Sequence, residues 1–435
     1  MEHGNTGSSR AYELRIVALI FFAWGFLFLD RSALSYIMPA ILEDLQLTNG
    51  QIGQINMWQT IGFAVSGPLI AMLSDRSGKR KPILLAAIFA TALFSGLSAL
   101  ANTYPMLLAM RFLVGASEGP ILPLAMTLVA AASRENTFGR NAGIVNTGVG
   151  VIAYIVGPVL VTQSIAALNW HWAFVIISVP SFLLGVLIWK FAKEVRPRRE
   201  SQNPQASRQP QAPQQPNDWQ PEAEAERRVR FWEVFKYRNV LVCILISISF
   251  CGGYWILNAF SPLYLTTAGQ MSIEQMGVIM STMGVAGIVA AVGIPMLSDY
   301  IGRKTVSILF PALGALAPLG LYLFPTEWPG PAALIVFGPM FGSMVPIFMN
   351  IIPQESVPVQ LKATASALII GIGEIVGSFI VGAAGTYADL YGLAFVLLVS
   401  AAAAVLMAIL GLGLKETLAR KFRTQDQPVL EQAVR

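Results

Sequence analysis

Five charged side chains sit in stretches that are otherwise almost wholly apolar. Asp30 and Arg31 lie in F-L-F-L-D-R-S-A-L-S, Arg111 and Glu118 in M-R-F-L-V-G-A-S-E-G-P, and Glu374 in I-G-I-G-E-I-V-G-S. At the centre of a bilayer each would cost about 2.5–3.5 kcal/mol on insertion scales, so such residues are functional by default. Together they offer two kinds of chemistry. An arginine fork stays charged and donates two parallel hydrogen bonds to a carboxylate. A carboxyl group in poorly hydrated surroundings is pulled towards its neutral form by burial and towards its charged form by a nearby arginine, so its proton follows changes around it.

Spacing assigns these groups different directions. Asp30 and Arg31 are neighbours, about 100° apart on a helix, and cannot share one line of sight. If Arg31 faces a central cavity, Asp30 turns towards a neighbouring helix. Arg111 and Glu118 are seven residues apart and project from about the same face at different heights. Static ion pairs of Asp30 with Arg31 or Arg111 are the structural alternative, although buried pairs stabilise poorly compared with apolar packing. For Glu118 the alternative is a carboxylate hydrogen-bonded near a bend at Pro120 and Pro123, and for Glu374 a local hydrogen bond to a neighbouring helix. The C-terminal half has no central Arg or Lys to mirror Arg31, which favours one carboxylate per substrate. Candidate lining there is mild: Tyr254, Trp255, Asn258, Tyr264, Asn350 and Ser378, facing Trp58 and Gln59 of the N-terminal half. This set suits a monocarboxylate with an aromatic, hydroxylated or otherwise apolar-tolerant body. Ordinary packing or an interfacial belt is the competing role for each aromatic.

The elements that hold these residues are membrane spans. The chain of 435 residues is 55% hydrophobic and only 12% charged, against roughly 25% charged in soluble domains. Runs long enough to cross about 30 Å of hydrocarbon recur at 14–39, 52–74, 82–102, 104–132, 140–163, 171–192, 238–266, 274–297, 304–324, 330–352, 362–386 and 390–414. The expected fold is therefore an all-α membrane protein with twelve transmembrane helices in two six-helix halves, 14–192 and 238–414. A tail over 1–13, a Pro- and Gln-rich linker over 193–237 expected to be largely disordered, and a tail over 415–435 complete the chain. The first apolar run is too long for the core of a cleaved signal and reads as a retained helix.

Charge distribution supports this count independently. With the N-terminus in the cytoplasm, 27 of the 29 Lys and Arg residues fall on the cytoplasmic side and the opposite loops hold none. The net charge of +5 therefore reports topology, not a nucleic-acid partner. Both termini are expected in the cytoplasm. Cys243 and Cys251 share one apolar run, which implies no disulfide framework, and the positions of His3 and His171 suggest no metal. There is no Walker sequence and no credible nucleophile–base pair, so neither a self-contained ATP-driven pump nor an enzyme is expected.

The halves repeat. A-M-L-S-D-R-S-G-K-R-K at 71–81 recurs as P-M-L-S-D-Y-I-G-R-K-T at 295–305, after the second helix of each half, as expected of a duplicated transporter core. Gly78 and Gly302 permit a tight turn, and Asp75 and Asp299 are placed to accept hydrogen bonds from a neighbouring helix N-terminus. The alternative is a generic turn with topogenic basic residues. At these residues the sequence resembles the major facilitator superfamily of transporters, whose signature reads G-x-L-a-D-r-x-G-r-k. Residues 71–80 match with Ala71 in place of the first glycine; the second copy has Pro295 there and Tyr300 in place of the basic residue. The resemblance spans roughly 14–414. It implies a major facilitator fold, alternating access around a midplane site, and a conformational signature carried by Asp75, Arg76, Gly78, Asp299, Gly302 and Arg303.

Two further stretches narrow the resemblance. F-L-D-R-S-A-L-S-Y-I-M-P (28–39) and M-R-F-L-V-G-A-S-E-G-P-I-L-P (110–123) resemble the first- and fourth-helix patterns of the anion:cation symporter group within that superfamily. The group commonly couples uptake of an organic carboxylate to protons. Carried across, Asp30 and Glu118 become proton-coupling carboxylates, Arg31 the partner of the substrate carboxylate, and Arg111 a switchable partner for Asp30. Glu374 departs from the neutral polar residue expected near its position, which suggests an extra proton site or altered substrate chemistry. The expectation is a monomeric proton-coupled importer of a small organic anion in the bacterial inner membrane, driven by the proton gradient without a cofactor. Arg111 with Gly115 also fits the R-x-x-x-G pattern of proton-driven exporters of drugs or metabolites, and a transporter-like nutrient sensor is a remote alternative.

Overall fold

The computed structural model describes residues 10–134, 136–194 and 231–418. Within them twelve helices are long and apolar enough to cross a membrane: α1 Arg10–Leu45, α2 Asn49–Ser77, α3 Arg80–Ser98, α4 Tyr104–Ala132, α5 Phe138–Ala167, α6 Trp170–Phe191, α7 Arg238–Thr267, α8 Ile273–Ile301, α9 Arg303–Leu323, α10 Pro329–Ser356, α11 Val359–Tyr391 and α12 Ala394–Gly411. The protein is an integral membrane protein of all-helical fold. Several helices run beyond the apolar runs because polar caps extend them past the hydrocarbon limits. The α2 and α8 starts carry the same device: Thr48 with Gln51 and Ser272 with Gln275 form reciprocal capping boxes, satisfying N–H groups a helix start leaves open. At the other ends of these two helices Gly78 and Gly302 adopt φ of 66° and 101°, the left-handed region where a side chain would be strained.

The structure adds detail to three of the expected segments. Of the linker expected over 193–237, positions 195–230 lie outside the described residues, but Phe231–Lys236 forms a 3-10 helix with Val234 buried. The tail expected over 1–13 is already helical from Arg10, and Glu13 is buried: it accepts from Arg134 Nε at 2.7 Å, Thr137 Oγ1 at 2.5 Å and Asn141 Nδ2 at 2.7 Å. Buried polar groups need such partners, and the hydropathy of the run could not reveal them. Of the tail expected over 415–435, residues up to 418 are held by backbone donation to Glu416.

Three helices depart from regular geometry around the midplane. The α4 helix breaks at Gly119 and Pro120, where the proline cannot continue the hydrogen-bond ladder. The α5 and α10 helices contain π-helical turns, Val149–Val156 and Ile347–Ile351, a distortion frequent at functional sites.

The halves meet at the end that bears no Lys or Arg. There α2 packs along α11, and α5 along α8. Gly53 of α2 lies against the backbone of Val381 and Gly385, so closely that a Cβ would sit 2.9 Å from the Val381 carbonyl oxygen. Small residues permit this approach where lipid offers no hydrophobic drive between helices. Across the same seam the Asp389 carboxylate accepts from the backbone N–H groups of Asn49 at 2.7 Å and Gly50 at 2.9 Å. Ser281 Oγ of α8 donates to the Ile155 carbonyl of α5 at 2.6 Å.

Candidate functional site

Two connected cavities occupy the space between the halves. The inner one, about 40 Å³, is the more polar of the two and is lined by Arg31, Ser32, Ser35, Gln59, Thr60 and Asn258 among others. It shares Tyr36, Tyr154 and Asn258 with a larger, mostly apolar space of about 400 Å³. That space runs between α5, α7, α8 and α10 past Thr147, Asn146 and Gly143, towards the basic end of the bundle. Its size is within the usual range for small-molecule pockets.

Arg31 closes the polar end. Its NH2 donates to Thr60 Oγ1 at 3.2 Å and lies 3.5 Å from Glu374 Oε2. The guanidinium also lies over the rings of Phe63 at 4.5 Å and Trp255 at 5.1 Å, a cation–π cage that a planar, weakly hydrated cation tolerates well. One side chain of α1 therefore touches α2, α7 and α11, and its ion pair spans the two halves.

Asp30 points the other way, as the 100° step requires. It pairs with neither Arg31 nor solvent. Its Oδ1 accepts from Ser95 Oγ of α3 at 2.5 Å and lies 3.5 Å from Arg111 NH1 of α4, while Oδ2 is buried without a hydrogen-bond partner. Arg111 is fully buried, donates to Ser98 Oγ at 2.5 Å, and has its guanidinium 4.7 Å from the centre of the Phe174 ring. The Asp30–Arg111 pair is thus a second ionic cluster, inside the N-terminal half and walled off from the cavity. Glu118 is buried at the α4 break, and its Oε1 has no hydrogen-bond partner.

Of the expected lining, Gln59, Asn258 and Ser378 border the inner cavity with Trp255, and Tyr254 borders the outer one. Trp58 does not: it is 42% exposed and lies edge-on to Phe112, because adjacent helix positions face different ways. Asn350, within the π-helical turn of α10, borders neither cavity. Tyr264 is buried in the apolar core away from both. Sequence reading missed Tyr36, Tyr154, Asn56 and Thr60, which border the inner cavity, and Ser95 and Ser98, which hold the Asp30–Arg111 cluster. Tyr36 and Ser35 follow Arg31 by about one turn, a signal available in the sequence.

The repeated turns at the basic end also differ from expectation. Asp75 pairs with Arg80 at 3.2 Å, and Asp299 with Arg303 at 2.6 Å. Arg303 also meets Glu355 at 3.3 Å; Arg76 is exposed. The helix N-termini are taken by two other acids. Glu194, just past α6, accepts from the backbone of Arg80 and Lys81 at 3.1 and 3.2 Å. Glu416, just past α12, accepts from Arg303 and Lys304 at 2.9 and 3.1 Å. Burial pushes the Glu416 carboxyl up, but the backbone donors of Leu418, Arg303, Lys304 and Thr417 outweigh it and hold it below the ordinary carboxylate range. The repeated Lys-Glu pair after each half, 193–194 and 415–416, could have announced both acids.

Comparison with known proteins agrees with this architecture. The chain is 28% identical over 293 residues to a hexuronate transporter of Bacillus subtilis (strain 168), covering 67% of this chain and 66% of that one. It is 26% identical over 378 residues to a 4-hydroxybenzoate transporter of Pseudomonas putida, covering 83% of each. The crystal structure of a D-xylose–proton symporter superposes with a TM-score of 0.72 at 17% identity, covering 94% of this chain and 99% of that one. The model of the Major Facilitator Superfamily matches residues 20–379. With the repeated turn, the two six-helix halves and the central cavity, this places the chain in the Major Facilitator Superfamily, a membrane transporter and not an enzyme.

Proposed function

We propose that the protein is a proton-coupled symporter that imports a small organic monocarboxylate. The observation that carries this reading is a single guanidinium, Arg31, at the polar end of a cavity about 400 Å³ in size, with Gln59, Thr60, Asn258 and Ser378 beside it. One fork binds one carboxylate, and Trp255, Tyr36 and Tyr154 offer ring surfaces to an aromatic or hydroxylated body. The names of the relatives support an organic acid, since they include transporters of hexuronate and 4-hydroxybenzoate. Asp30 and Glu118 are the proton-coupling carboxylates in this reading. Each keeps a buried oxygen without a hydrogen-bond partner, an acceptor that protonation turns into a donor, and Arg111 is the partner Asp30 gives up when it takes a proton. By the positive-inside rule the basic end faces the cytoplasm, so the cavity is open on the side where an importer releases its cargo.

Proteoliposomes with an imposed inward proton gradient test this. The expected result is concentrative uptake of at least one acid from a panel of 4-hydroxybenzoate, nicotinate, glucuronate and sialic acid. Joining Asp30→Asn to Glu118→Gln should cut accumulation well below the wild-type level while leaving exchange of external for internal substrate. Movement of substrate outwards against the gradient would show an exporter and overturn the reading, as would full accumulation by the double variant.

A further inference from the structure

The pair formed by Arg31 and Glu374 is the one feature of the site that the transport reading leaves unused. Arg31 belongs to the N-terminal half and Glu374 to the C-terminal half, 3.5 Å apart with side chains only 9% and 13% exposed. Glu374 Oε2 has no close hydrogen-bond partner; the Arg31 guanidinium lies 3.5 Å from it and the Trp255 side chain lies beside the carboxyl. Its geometry is that of a carboxylate presented to the cation which, in the transport reading, receives the substrate's carboxylate. Ser378, one turn along the same helix, borders the inner cavity, as does Trp255 next to Arg31.

We propose that Glu374 is a built-in stand-in for the substrate: it occupies Arg31 while the site is empty and yields that place only on taking up a proton. This rests on the assignment of Arg31 to the substrate carboxylate. Glu374 takes one proton from the bulk and becomes neutral, Arg31 keeps its charge, and the incoming monocarboxylate supplies the negative charge lost. One proton and one monoanion enter together, and the charge of the site is unchanged. Two of the three other states are penalised. An anion bound beside ionised Glu374 sets two carboxylates on one guanidinium. A protonated Glu374 without substrate leaves a nearly dry guanidinium unpaired, and unpaired buried charge is the costly case. The empty, unprotonated carrier is neutral and paired across the halves, so it can return without carrying protons. Coupling then follows from the arithmetic of one cation and two competing acids.

Few other groups interfere. Of the elements packed on α11, α12 carries no charged residue, and α7 brings Cys251 near Glu374. The remaining charges on those elements lie at the basic ends: Asp75 and Arg76 of α2, Arg238 of α7, Glu355 of α10, and Glu233 and Lys236 of the short helix. On α11 itself Lys362 is about 18 Å along the axis and Asp389 about 22 Å. Asp30 and Glu118 sit in the N-terminal half, with Asp30 engaged by Ser95 and Arg111, and contribute their own pH dependence.

The test measures binding of 4-hydroxybenzoate, nicotinate, glucuronate and sialic acid to the full-length protein between pH 5.5 and 8.5, with proton uptake followed by an indicator dye in weak buffer. For the wild type, affinity should fall as pH rises, approaching tenfold per unit. In Glu374→Gln the slope of log Kd against pH should fall by one, proton uptake on binding should drop by one, and affinity at pH 8.5 should rise at least tenfold. Glu374→Asp should keep the wild-type proton uptake, which separates the carboxyl from the mere shape of the residue. If an acid binds but Glu374→Gln keeps the wild-type slope or binds more weakly at pH 8.5, the stand-in role is wrong and the organic-anion reading survives. If neither protein binds any acid, both fall together.

Discussion

Asp389 holds the bundle closed at the end without Lys and Arg, and its removal should tip the protein towards opening there. Both carboxylate oxygens are used, one on the N–H of Asn49 and one on that of Gly50. They tie the last turns of α11 to the first turn of α2, across the seam between the halves. A carboxylate is favoured at that place because a helix start exposes N–H groups and partial positive charge. Hydrogen bonds to a charged group are worth about 1.5–3 kcal/mol each. Asp389 is exposed, so the low end applies, and water replaces part of the loss. About 1 kcal/mol each, hence about 2 kcal/mol in all, is a fair figure for Asp389→Ala. If the open arrangement lacks both bonds, the ratio of open to closed should rise about 30-fold. Spin labels at Leu168→Cys and Leu390→Cys, both at this end and 58% and 72% exposed, would read the change as growth of a longer distance in pulsed electron resonance. The two native cysteines are buried and give little background labelling. A distance distribution that changes less than threefold in Asp389→Ala would refute the latch.

Two further outcomes are expected. Arg31→Lys keeps the charge but loses the fork and the flat face over Phe63 and Trp255. It should weaken binding of the transported acid by about 1.5–3 kcal/mol, or roughly 10- to 150-fold, with the melting temperature little changed; an unchanged Kd would remove Arg31 from the substrate. Glu416→Gln should lower the melting temperature at pH 7 by about 1–3 °C, from about 0.3–1 kcal/mol for a carboxylate at a helix start. Because folding depresses this carboxyl, its contribution is fully present above the unfolded pKa of about 4.3 and disappears as pH falls through the lower folded value. A difference from wild type that persists unchanged at pH 2–3 would exclude the carboxylate as its source.

What the sequence determines here is what can be summed along the chain. Hydropathy marks twelve spans because each must satisfy its own backbone in lipid, and the loops free of Lys and Arg fix which ends lie together. The repeated turn pairs Asp75 with Asp299 and Gly78 with Gly302, so the two halves are legible before any coordinates. The cost of burying charge marks Asp30, Arg31, Arg111, Glu118 and Glu374 as worth explaining. Whom they meet is decided elsewhere. Asp30 and Arg31 are adjacent in the chain yet serve different clusters, while Arg31 and Glu374 meet across 343 positions. Trp58 and Gln59 are adjacent too, and only Gln59 reaches the cavity. Those outcomes depend on how far each helix is rotated about its axis, where a π-helical turn shifts the register, and which glycines let backbones touch. Such quantities arise only when distant helices pack, which is why the ionic clusters belong to the tertiary structure while the charges that form them are visible in the sequence.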